Sequence, residues 1–194
     1  MTDRLHDRLQ EVRRSLGAIK MQLEEQGYVF ESPETALSEP SPETDRIVSR
    51  IESSVGRIPE ALVAFWRIVG SVDFCGSHSD WSGCEYPDPI VVYPPTEAEH
   101  ELESFLQNRD EYREAYGSFR VPIAPDSFHK ENVSGGMWYG IAVPDDRMDP
   151  PLLEEPNQTT FLNYLDLVVS WGGFPGLKRA TGTHTWPQAR PEND

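Results

Sequence analysis

Residues Ile58 to Phe74 read IPEALVAFWRIVGSVDF, and the fold turns on how this stretch is read. Pro59 suits the first turn of a helix, where its missing N–H costs nothing. Leu62, Phe65, Trp66 and Val69 recur at steps of three, one and three, so they share one helical face. Gly70 is a natural stop, and the chain then turns into an extended segment. So much apolar volume on one short helix makes it a core anchor, with Phe65 and Trp66 packed inside.

Upstream, Leu5, Leu9, Val12, Leu16, Ile19 and Leu23 recur at steps of four and three, a heptad seam under three heptads long. Leu at one seam position with β-branched residues at the other disfavours a parallel dimer. The flanking His6, Arg8, Arg13, Ser15, Lys20 and Gln22 include no acid. Residues 1–30 are therefore expected to form an amphipathic helical arm whose basic-edged stripe docks on something acidic. That surface is the body of the same chain or of a neighbouring copy, the second giving a homo-oligomer. Residues 31–44, ESPETALSEPSPET, carry three prolines and one large apolar residue, which predicts an extended, mobile linker.

The body is expected over residues 45–177, followed by a poorly ordered tail over 178–194. Thr44 or Asp45 is placed to cap a helix bearing Ile47, Ile51 and Val55. Ile90 to Tyr93 reads as a short strand, and Thr96 with Glu99 spells a capping box for a helix running to about Tyr116. Phe119 to Ala124 reads as a strand that Pro122 confines to an edge or a bulge. Met137 to Val143 is the strongest strand candidate, and Leu152 with Leu153 a short one. Thr159 or Thr160 starts a last helix facing inward through Phe161, Leu165, Val168 and Val169. The fold class is α+β, a mostly antiparallel sheet packed by helices and preceded by the N-terminal arm.

The chain carries a formal charge of −16. Residues 1–26 are neutral, with five acids and five Lys or Arg, whereas residues 45–194 hold 24 acids against 12 Lys or Arg. A body this acidic repels nucleic-acid phosphates and anionic membranes and attracts basic proteins. No run of 18 apolar residues or secretory h-region is present, so a cytoplasmic protein with Cys75 and Cys84 reduced is expected.

The helix start Ile58-Pro59-Glu60-Ala61-Leu62, with Phe65-Trp66 and Val69-Gly70, resembles the opening motif of the SUKH superfamily. The stretch Thr160-Phe161-Leu162-Asn163-Tyr164-Leu165 is similar to that superfamily's closing helix. The resemblance implies a small α+β domain over roughly residues 45–177. Many members are bacterial immunity proteins that bind and neutralise toxins of rival cells. The superfamily has no shared catalytic set, so the resemblance implies a binding scaffold with no cofactor, not an enzyme.

Candidate partner-binding residues are Asp73, Asp80, Trp81, Glu85, Asp88 and Trp138. They combine aromatic anchors with acids in and around a polar loop, a composition suited to a basic protein partner. Trp138 and Tyr139 are consecutive on a strand, so only one of them must face the core. Cys75 and His78, with Cys84 and His129, could be read as zinc ligands, but only one close pair exists and no metal is expected. His78 and His129 are the candidates for acid–base chemistry in an enzyme alternative. Recruitment through the N-terminal helix, as an assembly adaptor, is the other competing role.

Overall fold

The computed structural model describes residues 3–79 and 87–179. Helix α1 (Asp3–Glu25) leads into strands β1 (Val29–Phe30) and β2 (Leu37–Ser38), then helices α2 (Thr44–Val55) and α3 (Glu60–Ile68). Strands β3 (Ser71–Asp73), β4 (Gly76–Ser77) and β5 (Val91–Val92) follow. Helices α4 (Pro95–Gln107) and α5 (Arg109–Tyr116), strands β6 (Phe119–Ala124) and β7 (Tyr139–Val143), and helix α6 (Phe161–Ser170) complete the chain. The protein is α+β, and the strand pairs are antiparallel throughout.

The anchor helix behaves as its spacing predicts. In α3, Leu62, Phe65 and Trp66 are fully buried, and the Trp66 indole N–H donates to the Tyr93 carbonyl at 3.0 Å. The Phe65 ring meets Phe161 of α6 edge-on at 5.6 Å, which joins the first and last motifs of the body. The sheet runs β2-β3-β5, and the Tyr93 N–H to Ile123 carbonyl bond carries it across to β6 and β7. Pro122 sits at a register shift in the β6–β7 pair, as a residue without an N–H should. On the far edge of β7, Gly140 bridges Leu153, so the short Leu152–Leu153 segment does pair.

Two boundaries need correction. Helix α1 is no separate arm: Leu5, Leu9, Val12, Leu16, Ile19 and Leu23 are all buried in the one core, against α3 and α6. Its basic edge does find acids of the same body, Arg8 reaching Asp166 at 2.5 Å and Arg13 pairing with Glu39. Arg13 also donates to the carbonyls of Ile68 and Val69 at 2.9 and 3.1 Å, holding α1 to the end of α3. The 31–44 segment is no mobile linker either. Within it β2 pairs with β3, and the buried Ala36 accepts the Asp73 N–H at 3.0 Å. Composition misleads here because backbone pairing and a single small buried residue fix a polar segment.

This crossing explains Gly70. Its φ of +96° lies in the region that favours glycine, and a side chain there would strike the backbone of Ser38 and Glu39. Other local devices differ from expectation. The capping box does not form, because the helix begins at Pro95 and Glu99 turns instead to Arg46 and Arg50 of α2. Those two hydrogen bonds hold the Glu99 carboxyl down at about 2. Thr44 lies inside α2, with Glu43 at the cap position. Thr160 does occupy the cap position of α6, but Asp149 supplies the acceptor, at 2.9 Å from the Leu162 N–H. The helix expected to run to Tyr116 breaks at Asn108 into α4 and α5. The expected tail lies, beyond Arg179, outside the described residues.

Two measurements check this architecture. Leu16→Ala, at a fully buried seam position, should lower unfolding stability by about 2–5 kcal/mol in urea melts, since it opens a core cavity. A near-neutral result would mean that α1 is detached. Glu99 has its folded pKa below the ordinary 4.5, so its contribution is present above that pH and is lost as pH falls towards 2. Urea melts at pH 5 and pH 3 should therefore show a smaller acid loss in Glu99→Gln than in the native chain.

Candidate functional site

One end of the molecule gathers charge from four parts of the chain. Residues after β1, the end of β3, the segment entering β5 and the β6–β7 connection bring Glu31, Asp73, Asp88, Lys130 and Glu131 near one another. Their proximity shows in Tyr28, whose hydroxyl donates to the Phe74 carbonyl at 2.8 Å. Its pKa is pushed up first by burial, then by Cys75 and the carboxylates of Glu131, Glu31 and Asp73.

The centre of the group is dry. Asp88 and Lys130 have no exposed side-chain surface, and Lys130 Nζ donates to Asp88 Oδ1 at 2.7 Å. The Tyr139 hydroxyl donates to Asp88 Oδ2 at 3.1 Å, and its ring centroid lies 4.7 Å from Lys130 Nζ. Burying two charges is tolerable only because they are paired, with Asp88 further hydrogen-bonded by Tyr139 and Lys130 set over the Tyr139 ring. Behind them the Tyr164 hydroxyl is buried with no hydrogen-bond partner in the described structure. Burial, then the Asp88 charge, pushes its pKa well up.

The β6–β7 connection is shaped by Asp126. Its Oδ1 accepts the Phe128 N–H at 2.9 Å and the His129 N–H at 3.4 Å, and Oδ2 pairs with His129 Nδ1. Burial opposes ionisation of Asp126, but the hydrogen bonds from His129 and Phe128 outweigh it and lower the pKa. Gly136, at φ +77°, closes over this carboxylate, where a Cβ would collide with it. The short 3-10 turn His129–Glu131 then sends Lys130 inward and leaves Glu131 exposed. Although Glu131 is exposed as a residue, neighbours partly desolvate its carboxyl, and this, then Asp88 and Glu31, raises its pKa. Phe128, Val133 and Met137 stand exposed along the same connection.

The sequence candidates divide three ways. Asp80, Trp81 and Glu85, with Cys84, lie outside the described residues. Asp73 is at this end, half-buried, with Oδ1 accepting the Cys75 N–H at 2.9 Å. Trp138 is half-buried just before β7 and packs on Tyr116 at 5.9 Å, while Tyr139 faces the core. Asp88 is a correction: it cannot face a partner, because it is sealed inside with Lys130 and Tyr139.

Nothing in the sequence marks Lys130, Asp126, Glu31 or Glu131 as part of a site. A lone Lys in a polar run reads as solvated, and its partner lies 42 residues upstream, so no local pattern could reveal the burial.

The His78 Nε2–H donates to the Gln26 carbonyl at 2.8 Å, and His129 is held by Asp126. An Asp-oriented imidazole can move a proton. Among the described residues no hydroxyl or thiol is hydrogen-bonded to His129, and Cys75 is a buried thiol whose pKa burial pushes up. Among the described residues no three His, Cys, Asp or Glu are placed to hold a metal ion. No family model matches this chain, and no curated protein or solved structure matches it either.

The buried pair makes a sharp prediction. Lys130→Met leaves Asp88 buried without its cation and should cost about 3–5 kcal/mol in denaturant melts. The double change Asp88→Asn with Lys130→Met should recover much of that loss. Equal losses in the single and double variants would contradict the pairing.

Proposed function

We propose that the chain is a non-catalytic binding domain that captures a basic protein, in the manner of the toxin-immunity proteins its opening and closing helices resemble. One observation carries the reading. Glu31, Asp73 and Glu131 converge at one end with no cation paired to them among the described residues, and the nearby Lys130 is locked to Asp88. The surface there is both acidic and apolar, since Phe128, Val133 and Met137 are exposed beside Glu131. Apolar anchors with a charged surround suit a protein partner of opposite charge, whose approach the net −16 accelerates. Neutralisation would follow from covering the toxin's own working surface, that of a nuclease whose substrate is also an anion. Such a protein would act in the cytoplasm, where Cys75 stays a thiol. Among the described residues no helix is long and apolar enough to cross a membrane.

Recruitment through α1 has lost its physical basis, because the seam that would recruit is covered within the chain.

The test is capture from lysate of the source cells by the native chain and by Glu31→Lys with Glu131→Lys, followed by expression of the captured protein with and without this chain. A basic protein held by the native chain, weakened about tenfold or more by the charge reversal, and toxic only when expressed alone is the expected result. Capture indifferent to the reversal, or a captured protein whose effect this chain does not alter, would contradict the proposal.

A further inference from the structure

A cavity of about 500 Å3 opens where the end of α2, the α4–α5 junction and the β6–β7 pair meet, and it is lined by Val55, Phe105, Phe119 and Pro144 together with Arg109 and Arg113. The two arginines stand one turn apart on α5, so they project along one face.

The chain has 33 acidic residues for 17 Lys and Arg. Among the described residues Arg4, Arg57, Arg109 and Arg113 are without a carboxylate partner, and of these Arg109 and Arg113 stand together on the cavity wall. Arg8, Arg13, Arg46, Arg50, Arg67 and Arg147 each hold a carboxylate. Arg109 and Arg113 hold none in the described structure, although Asp110, Glu111 and Glu114 share their helix. The Arg109 guanidinium lies 5.4 Å from the Phe105 ring centroid, so its contact is with an aromatic face and its donors stay unused. The Ser118 hydroxyl, also on the cavity wall, has no partner among the described residues. Two cations at this spacing repel one another, and an anion between them would relieve that repulsion.

We propose that this cavity binds a small organic phosphate monoester, with the phosphate across Arg109 and Arg113 and an apolar body against Val55, Phe105 and Pro144. A carboxylate has two oxygens and is filled by one guanidinium fork, whereas a phosphate offers three and can accept from both forks and from Ser118. The lining mixes apolar side chains with the two guanidinium groups and Ser118, and the volume lies within the usual range for small-ligand sites, about 300–1,000 Å3. The site is independent of the acidic end, and the chain's overall negative charge is overcome locally only by short-range contact with the two forks.

Calorimetric titration of the full chain with phenyl phosphate tests this, with inorganic phosphate, phenol and benzoate as separate arms. Phenyl phosphate should bind saturably, inorganic phosphate and benzoate about tenfold more weakly or worse, and phenol not measurably. Arg109→Gln with Arg113→Gln should weaken phenyl phosphate at least about tenfold, while Arg4→Gln, an exposed change on α1, should leave it unchanged. Circular dichroism should superpose for all three chains, since the altered side chains are exposed. Absence of saturation up to about 10 mM, or undiminished binding by the double variant, overturns the site. Benzoate binding as tightly as phenyl phosphate overturns the assignment to phosphate.

Discussion

The apolar seam of α1 closes the core, and the rest of the structure depends on that contact. Leu9, Leu16 and Leu23 are sealed against α3 and α6, which would otherwise expose their own apolar faces. Six buried seam residues contribute on the order of 10 kcal/mol at most, comparable with the whole net stability of a small domain. The contact also fixes the route of the chain. Arg13 binds the carbonyls at the end of α3 and pairs with Glu39, so the segment after α1 must cross just above Gly70. That crossing places β2 on β3 and sets the edge of the central sheet.

With α1 docked, the chemistry left at the surface is concentrated at two places of opposite charge. At one end, carboxylates of Glu31, Asp73 and Glu131 surround a neutralised interior pair, Asp88 with Lys130. That pair ties the segment entering β5 to the β6–β7 connection, so the exposed Phe128, Val133 and Met137 stand on a connection anchored from below. At the other place, Arg109 and Arg113 stand one turn apart on a cavity wall with no carboxylate paired to them among the described residues. The two differ in what they are proposed to hold: a protein on the broad acidic and apolar surface, and a small anion in the open-sided cavity with two guanidinium groups.

Much of the fold was legible in the residues because burial leaves a periodic trace. The three-one-three steps in α3 and the heptad seam of α1 correspond to buried faces, and the apolar run of β7 to a strand buried at four of its five residues. What stayed hidden depends on partners distant in the chain. A polar, proline-rich run looks mobile until β3 supplies its hydrogen bonds. Thr96 with Glu99 looks like a cap until Arg46 and Arg50, on another helix, offer the glutamate a stronger pairing. Asp88 looks like a surface acid until Lys130 arrives from 42 residues downstream. The candidate site was legible only in part for the same reason. Its acidity and the position of Asp73 follow from composition and order, but its buried centre is made by tertiary pairing alone.

Native-state hydrogen exchange on the full chain tests the central claim most directly, that α1 belongs to the same cooperative unit as α3 and α6. The amides of Leu9 to Ile19 should exchange only through global unfolding, with the same dependence on denaturant as those of Leu62 to Trp66 and Leu165 to Val168. Exchange of the α1 amides through an opening well below the global free energy, with α3 and α6 still protected, would contradict it. That result would return the N-terminal helix to the status of an arm free to recruit a partner.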